Sequence, residues 1–376
     1  MMAAVTLRGG RRHLRAGEFV HGRLRRFVVA SVVSVGVLGA VGLLPAPTSR
    51  VAVRPVAGTV KTLTIAAIGD TILGNTPNLP SDPRHYFSGI GRQLRNGTQL
   101  VFANLEGTLT TQSHSKCGPS SSNCFAFRNP PSFANAFAAA GFTVLNDANN
   151  HSHDFGQAGL DQTVSSIHAA GMAQTGLPHQ VTYVKAAGLR VAVLGFAPYG
   201  DTANMLDLST AADMIRRAHR HADVVMVYMH AGAEGSNADH VTGQEEYYLG
   251  EDRGNAQRFA HLAIRSGASL VIGSGPHVLR GMEFYRRHLI AYSLANSANY
   301  HNFSNSGVLA DSAVLRVTLA PSGAFRTGQL ISVRLADAGR PTLGGDSISF
   351  VRRLSKDDFG THAARLSRHG VIRRPA

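Results

Sequence analysis

Short apolar runs recur along the middle of the chain and alternate with amphipathic stretches. The runs "LTIAAIG" (63–69), "LVFANLE" (100–106), "TVLND" (143–147), "RVAVLGFA" (190–197), "DVVMVYMH" (223–230), "SLVIGSG" (269–275) and "HLIAYSL" (288–294) predict buried strands. Helical spacing predicts helices between them, over 84–95, 132–140, 157–170, 209–221 and 254–266. This alternation predicts an α/β domain whose strands are mostly parallel and buried on both faces. Two later runs, "AVLRVTLA" (313–320) and "GQLISVRLA" (328–336), alternate in and out more plainly and predict an antiparallel addition. No internal repeat is visible. Residues 337–376 are weakly patterned, with room for one short helix.

One apolar run is of another kind. "FVVASVVSVGVLGAVGLL" (27–44) carries no charge, follows Arg8, Arg11, Arg12, Arg15, Arg23, Arg25 and Arg26, and ends at "PAP". Its length is near the ~18 residues of a membrane span and exceeds the ~7–15 of an ordinary signal peptide. The basic flank holds the N-terminus inside, so the rest of the chain is expected outside the membrane. A cleaved signal and an uncleaved anchor both fit, and "RLRRFVVAS" has a faint twin-arginine look. The expected organisation is a basic N-terminal region with this segment and a linker (1–61), a main domain (62–336) and a basic C-terminal tail (337–376).

The chain has 376 residues, 44% of them hydrophobic, enough for a sizeable core. Its net charge of +14 suggests nucleic acid until the distribution is read. Residues 1–61 hold ten basic residues and one acid; residues 331–376 hold nine and four; residues 62–330 are neutral, with 18 of each. The basicity belongs to the ends, so nucleic acid is not an expected partner. The absence of Trp counts against a carbohydrate-binding platform. Cys117 and Cys124, in "KCGPSSSNC", are expected to form a local disulfide in an exported protein.

The strand ends carry the chemistry. The first delivers Asp70, the second Asn104 and Glu106, the third leads into "NDANNHSHD" with Asn149, Asn150, His151 and Asp154. A later strand delivers His230 and Glu234, and the next His277. Each alone reads as a turn residue, a cap or a core histidine. Together they put oxygen and imidazole ligands at one rim, where open α/β sheets bind ligands. Mixed Asp/Glu, Asn and His donors suit Zn, Mn or Fe and suit Ca poorly.

The ordered blocks "IAAIGDTILG", "VFANLEGTLT", "FAFRNPPSF", "NDANNHSHDFGQAGL", "MHAGAE", "GSGPHVLRGMEFY" and "AYSLAN" resemble the CapA-type poly-γ-glutamate capsule biosynthesis proteins, a branch of the calcineurin-like metallophosphoesterases. The resemblance runs from about Leu63 to about Asn296, and "LSKDDFGTHAARLS" is similar to the end of such proteins. It implies two packed mixed β-sheets flanked by helices, with one or two divalent metal ions at the strand ends. It implies Asp70, Glu106, Asn150, His230 and His277 as metal ligands, with Glu106 in a bridging position. It implies His151 as the catalytic acid, Asp154 as the residue orienting it, and Glu234 as a support for His230. The sequence departs from the pattern at Asp70-Thr71-Ile72, where the superfamily has Asp-x-His. It departs again at Ser274 and Gly275 before Pro276, where the branch usually has a further His. Ala295 stands where Gly is usual, and no Phe follows Asn296.

These features leave three expectations. The first is an extracytoplasmic metal-dependent hydrolase acting on a phosphoester or a cell-envelope or capsular polymer. The second is a non-catalytic part of a polymer synthesis or export assembly, working with capsule-synthesis membrane proteins. The third is a plain extracytoplasmic binding module. The Asn150-His151 pair favours the first; the missing His near 274–275 favours the second.

Overall fold

The computed structural model describes residues 61–118, 121 and 123–376. The leader expected over 27–44, with nearly all of its linker, lies outside the described residues. Two sheets form the centre of the fold. In the larger, Leu63–Ile72, Leu100–Leu105, Val144–Asn146 and Ala173–Thr175 run parallel in that order. On the other side of Leu63–Ile72, Asp311–Leu319 and Phe325–Ala336 add on antiparallel, as their alternation predicts. The smaller sheet sets Leu189–Phe196, Val224–His230, Leu270–Ser274 and His288–Ala291 parallel, with antiparallel edges Thr182–Ala186 and Met282–Tyr285.

Period-two alternation explains how the sheets stack. Leu63, Ile65 and Phe102 point inward and meet Val191, Val193, Met226, Tyr228 and Ile272 from the smaller sheet. Ala66, Ile68, Val101 and Ala103 point outward and pack on Phe87, Phe133, Phe137 and Ile167. Leu194, Phe196, Val225 and Val227 pack on Met214, Ile215 and Phe259 of the helices Leu208–His221 and Ala256–Arg265. The layers are therefore helix, sheet, sheet, helix: the two packed mixed sheets flanked by helices expected above. Both helices start on side-chain caps: Asp207 accepts from the Thr210 amide at 3.0 Å and Asn255 from the Arg258 amide at 2.8 Å, each satisfying a donor the first turn leaves free.

Two segments differ from expectation. Residues 84–95 form two 3₁₀ turns and a single helical turn, Gly91–Arg95, in place of one helix. Gly89 lies so close to the carbonyl of Pro341 that a Cβ there would sit 2.5 Å from it. Residues 337–376, set apart above as a tail, are built into the body. Arg340–Leu343 and Val371–Arg373 pair with Phe325–Ala336, and Phe350, Val351 and Leu354 of the helix Ser347–Phe359 join the inter-sheet core. Among the described residues, no helix is long and apolar enough to cross a membrane.

Candidate metal centre

The parallel strands of both sheets deliver their C-terminal ends to one place. In the larger sheet Asp70 is in register with Asn104, and Asn104 with Asn146; in the smaller, Ser274 is in register with His230. Leu63–Ile72 is irregular on both sides of Asp70, where Asn296–Asn299 joins it. That junction needs Gly69, since a Cβ would stand 2.0 Å from the carbonyl of Ala295.

The buried centre comprises Asp70, Glu106, His230 and His277. Suitable ligand atoms of Asp70, Glu106 and His277 all lie within 4.8 Å of one another. Glu106 Oε1 is 3.7 Å from His230 Nε2 and 3.6 Å from His277 Nε2. His277 Nδ1 is 3.4 Å from Asp70 Oδ2 and donates to Asn296 Oδ1 at 2.9 Å, leaving Nε2 toward the centre. His277 holds φ +60, an uncommon backbone for a residue with a Cβ, of the kind that clusters at functional sites.

Burial and the neighbouring charges perturb every ionisable group of the centre. Burial, with the charges of Asp70 and Glu234, pushes the Glu106 carboxyl well above its ordinary range, although His277 pulls the other way. Burial also holds His230 below its ordinary value, keeping the imidazole neutral and able to ligate. Burial opposes ionisation of Asp70, but the hydrogen bonds from His230 and His277 outweigh it and hold the group low. His277 is raised despite its burial, by Glu106 and Glu234.

The fit to a metal rests on orphaned atoms. Both carboxylate oxygens of Glu106, His230 Nε2 and Asn150 Oδ1 are buried without a hydrogen-bond partner among the described residues. Buried acceptors left this way are costly and rare in native folds. Donor atoms about 2.1 Å from a tetrahedral cation sit about 3.4 Å apart, close to the separations found here. The buried Asp, Glu and His group could hold a metal ion.

The "NDANNHSHD" segment folds as a turn held by its first asparagines. Asn149 Nδ2 donates to Asn104 Oδ1 at 3.0 Å and to the Leu105 carbonyl at 2.8 Å, while its Oδ1 accepts the His151 amide at 2.9 Å. Asn150 and His151 are thereby set on the wall of a cleft of about 410 Å³ that His277 also lines. His151 Nδ1 is 2.9 Å from Asp154 Oδ2, and its ring lies against Phe127, centroids 4.4 Å apart. Asp154 also accepts the Phe127 amide at 2.6 Å and Lys116 Nζ at 2.8 Å. Lys116 reaches the Asn150 carbonyl at 2.8 Å as well. Its loop is closed by the expected disulfide between Cys117 and Cys124.

Asp70, Glu106, His230 and His277 come together in the buried group, Asn150, His151 and Glu234 line a cleft with His277, and Asp154 stands behind His151. One expected contact is not made. Glu234 does not support His230. Its Oε2 is 3.5 Å from His277 Nε2 and its Oε1 accepts from Arg253 at 2.6 Å, because the loop after Val224–His230 turns it toward the later strand. Glu234 is held at about 2: its burial is outweighed by the charges of His277 and Arg253. Sequence reading placed Asn104 among the strand-end ligands and gave no role to Ser274 or Tyr228. Asn104 Nδ2 donates to Asp70 Oδ1 at 2.7 Å, and Ser274 and Tyr228 also bond that oxygen, while the Gly275 amide donates to Oδ2 at 3.0 Å. Asn104 and Ser274 were visible as polar strand ends; Tyr228, inside an apolar run, was not.

The PGA biosynthesis protein CapA of Bacillus subtilis (strain 168) is 30% identical over 237 residues, 57% of this chain and 58% of that protein. The capsule biosynthesis protein CapA of Bacillus anthracis is 27% identical over 199 residues, 50% of this chain and 47% of that protein. The match thus spans about half the length of these relatives. Among solved structures, a 5'-nucleotidase precursor from Thermus thermophilus aligns with 72% of this chain and 54% of its own, at 13% identity and a TM-score of 0.39. The sequence profile of the bacterial capsule synthesis protein PGA_cap family matches residues 64–301, so the chain belongs to that family.

Proposed function

We propose that this chain is an exported or membrane-anchored, metal-dependent hydrolase of capsule-type polymer biosynthesis, acting on a phosphoester or a related bond in a cell-envelope polymer such as poly-γ-glutamate. The observation that carries the reading is the set of unpartnered buried atoms on Glu106, His230 and Asn150, with Asn150 and the Asp154-bonded His151 lining one cleft together with His277. Asp70, Glu106, Asn150, His230 and His277 would hold one or two ions of Mn, Zn or Fe. Such an ion supplies Lewis acidity toward a phosphoryl or acyl oxygen.

The remaining roles belong to the chain's own side chains. Asp154 accepts from His151 Nδ1 and fixes the tautomer, so Nε2 is the position that holds or releases a proton. Phe127 restrains the ring plane. His151 then acts as the acid toward the leaving oxygen. Placement outside the membrane is supported by the arginine-rich flank before residue 27 and by the Cys117–Cys124 disulfide, a bond at home in oxidising compartments.

Turnover of an aryl phosphate by metal-loaded protein tests the reading. His151→Ala should lower turnover roughly 10²–10⁴-fold with metal content kept, whereas Asn150→Ala should lower metal occupancy. A metal-replete protein inert toward aryl phosphomonoesters and phosphodiesters, with His151→Ala changing only the melting temperature, would overturn it.

One observation favours a second reading, a non-catalytic component of a polymer assembly with a reduced metal site. Asp70 already accepts from Asn104, Ser274, Tyr228 and the Gly275 amide, so little of its ligating capacity is left over. Stoichiometric metal uptake without turnover would select this reading.

A further inference from the structure

Two arginines are almost fully buried near the centre, each 1% exposed, and they are treated differently. Arg280 is fully engaged. Its Nε donates to the Ala238 carbonyl at 2.6 Å, and Nη1 and Nη2 donate to Glu246 at 2.8 and 2.6 Å. Arg253 is engaged on one side only. Its Nη1 donates to Glu234 Oε1 at 2.6 Å, while Nε and Nη2 have no partner among the described residues.

Nε and Nη2 form one edge of the guanidinium, a pair of parallel donors. Arg253 lies on the second strand of a small hairpin, Glu246–Tyr248 with Glu251–Gly254, and its carbonyl accepts the Gly232 amide at 3.0 Å. That bond ties the hairpin to the loop after His230. Arg253 is among the residues lining the cleft that also holds Asn150, His151 and His277. Glu234 links it to the centre, bonding Arg253 with one oxygen and approaching His277 with the other. The other acid beside it in the cleft, Glu251, is itself engaged by the Tyr199 hydroxyl at 3.0 Å.

We propose that the free edge of Arg253 is an oxyanion subsite that holds a carboxylate or phosphoryl group of the substrate beside the metal centre. A guanidinium edge matches two oxygens of such a group in a planar, two-bond arrangement. A buried donor pair left unmatched is costly, so the ligand supplies what Glu246 supplies to Arg280. The inference rests on the hydrolase reading for the word substrate, but the subsite itself is a binding claim. It concerns which molecules enter the cleft, and fails or stands separately from turnover.

The test is calorimetric titration of the wild-type protein, Arg253→Lys and Arg253→Gln with inorganic phosphate and with glutarate, each in the metal-loaded and the chelated protein. Lysine keeps a cation for Glu234 and removes the two-donor edge; glutamine removes the charge, and serves if the lysine variant melts early. At least one probe should bind the wild type, and folded variants should bind it roughly ten- to a hundredfold more weakly. The preferred probe tells whether the group is a carboxylate or a phosphate. No binding of either probe by the wild type, or a loss smaller than about fivefold in the folded variants, overturns the proposal. A protein that shows Arg253-dependent binding and no turnover keeps the subsite and removes the hydrolase reading.

Discussion

Replacing Asp147 with asparagine should stabilise the protein above neutral pH and change much less in acid. Asp147 is 2% exposed and neither carboxylate oxygen has a partner among the described residues. Burial pushes the group from 3.8 up to about 7, with Gln174 and His153 offsetting part of the effect. The folded value lies above the unfolded one, so the fold favours the protonated acid. The stability this group contributes is therefore complete below pH ~4 and is lost as pH rises to about 7. At ~1.36 kcal/mol per pKa unit the full loss is ~4 kcal/mol, of which ~2.5 kcal/mol falls between pH 5 and pH 8. Asparagine keeps the shape and cannot ionise. Urea denaturation of both proteins at pH 5 and pH 8, with chelator present so that metal binding adds no pH dependence, measures the gap directly. The variant should gain ~2.5 kcal/mol on the wild type between the two pH values. A gap that stays constant within about 0.5 kcal/mol would show that Asp147 is solvated or paired and refute the reasoning.

Other substitutions probe the backbone around the centre. Ala295 holds φ +59 beside Asp70, so Ala295→Gly should raise stability by about 1 kcal/mol, read as a higher melting temperature; a lower one contradicts the strain argument. Gly195 faces Asn146 so closely that a Cβ would sit 1.7 Å from its Oδ1. Gly195→Ala should cost roughly 1–3 kcal/mol and weaken metal retention, because Asn146 Nδ2 donates to Asn104 Oδ1 at 2.7 Å, and Asn104 in turn bonds Asp70. Replacing both Cys117 and Cys124 with serine should lower stability by about 2.5 kcal/mol and leave metal content unchanged, as judged by denaturation and elemental analysis.

Much of this centre was legible because its ligands follow apolar runs. Glu106, His230 and His277 stand at or just after a strand end and Asp70 two residues before one, and a buried parallel strand is easily read as a continuous hydrophobic stretch. Asn150, His151 and Asp154 were legible as a dense polar block after such a run. What could not be read is pairing across space. Tyr228 is one more bulky residue in "VVMVYMH" until Ser274 and Asp70 are brought to its hydroxyl. Glu234 follows His230 in sequence, yet the loop carries it to His277 and Arg253. Arg253 lies in a polar hairpin with no apolar periodicity to announce it. The short strands Ala173–Thr175 and Asn296–Asn299 escaped notice for the same reason, being too brief for a periodic signal.

The central claim is that Glu106 and its neighbours form a metal centre, and elemental analysis of the wild type against Glu106→Gln tests it most directly. Both proteins would be stripped with chelator, offered excess Mn, Zn and Fe in turn, freed of unbound metal, and checked for folding. The wild type should retain at least one ion per chain, and the variant should bind it at least tenfold more weakly while melting no lower in the stripped state, since the substitution removes a buried carboxyl without a partner. A folded wild type that retains no ion, or a variant that holds metal as tightly as the wild type, would contradict the account.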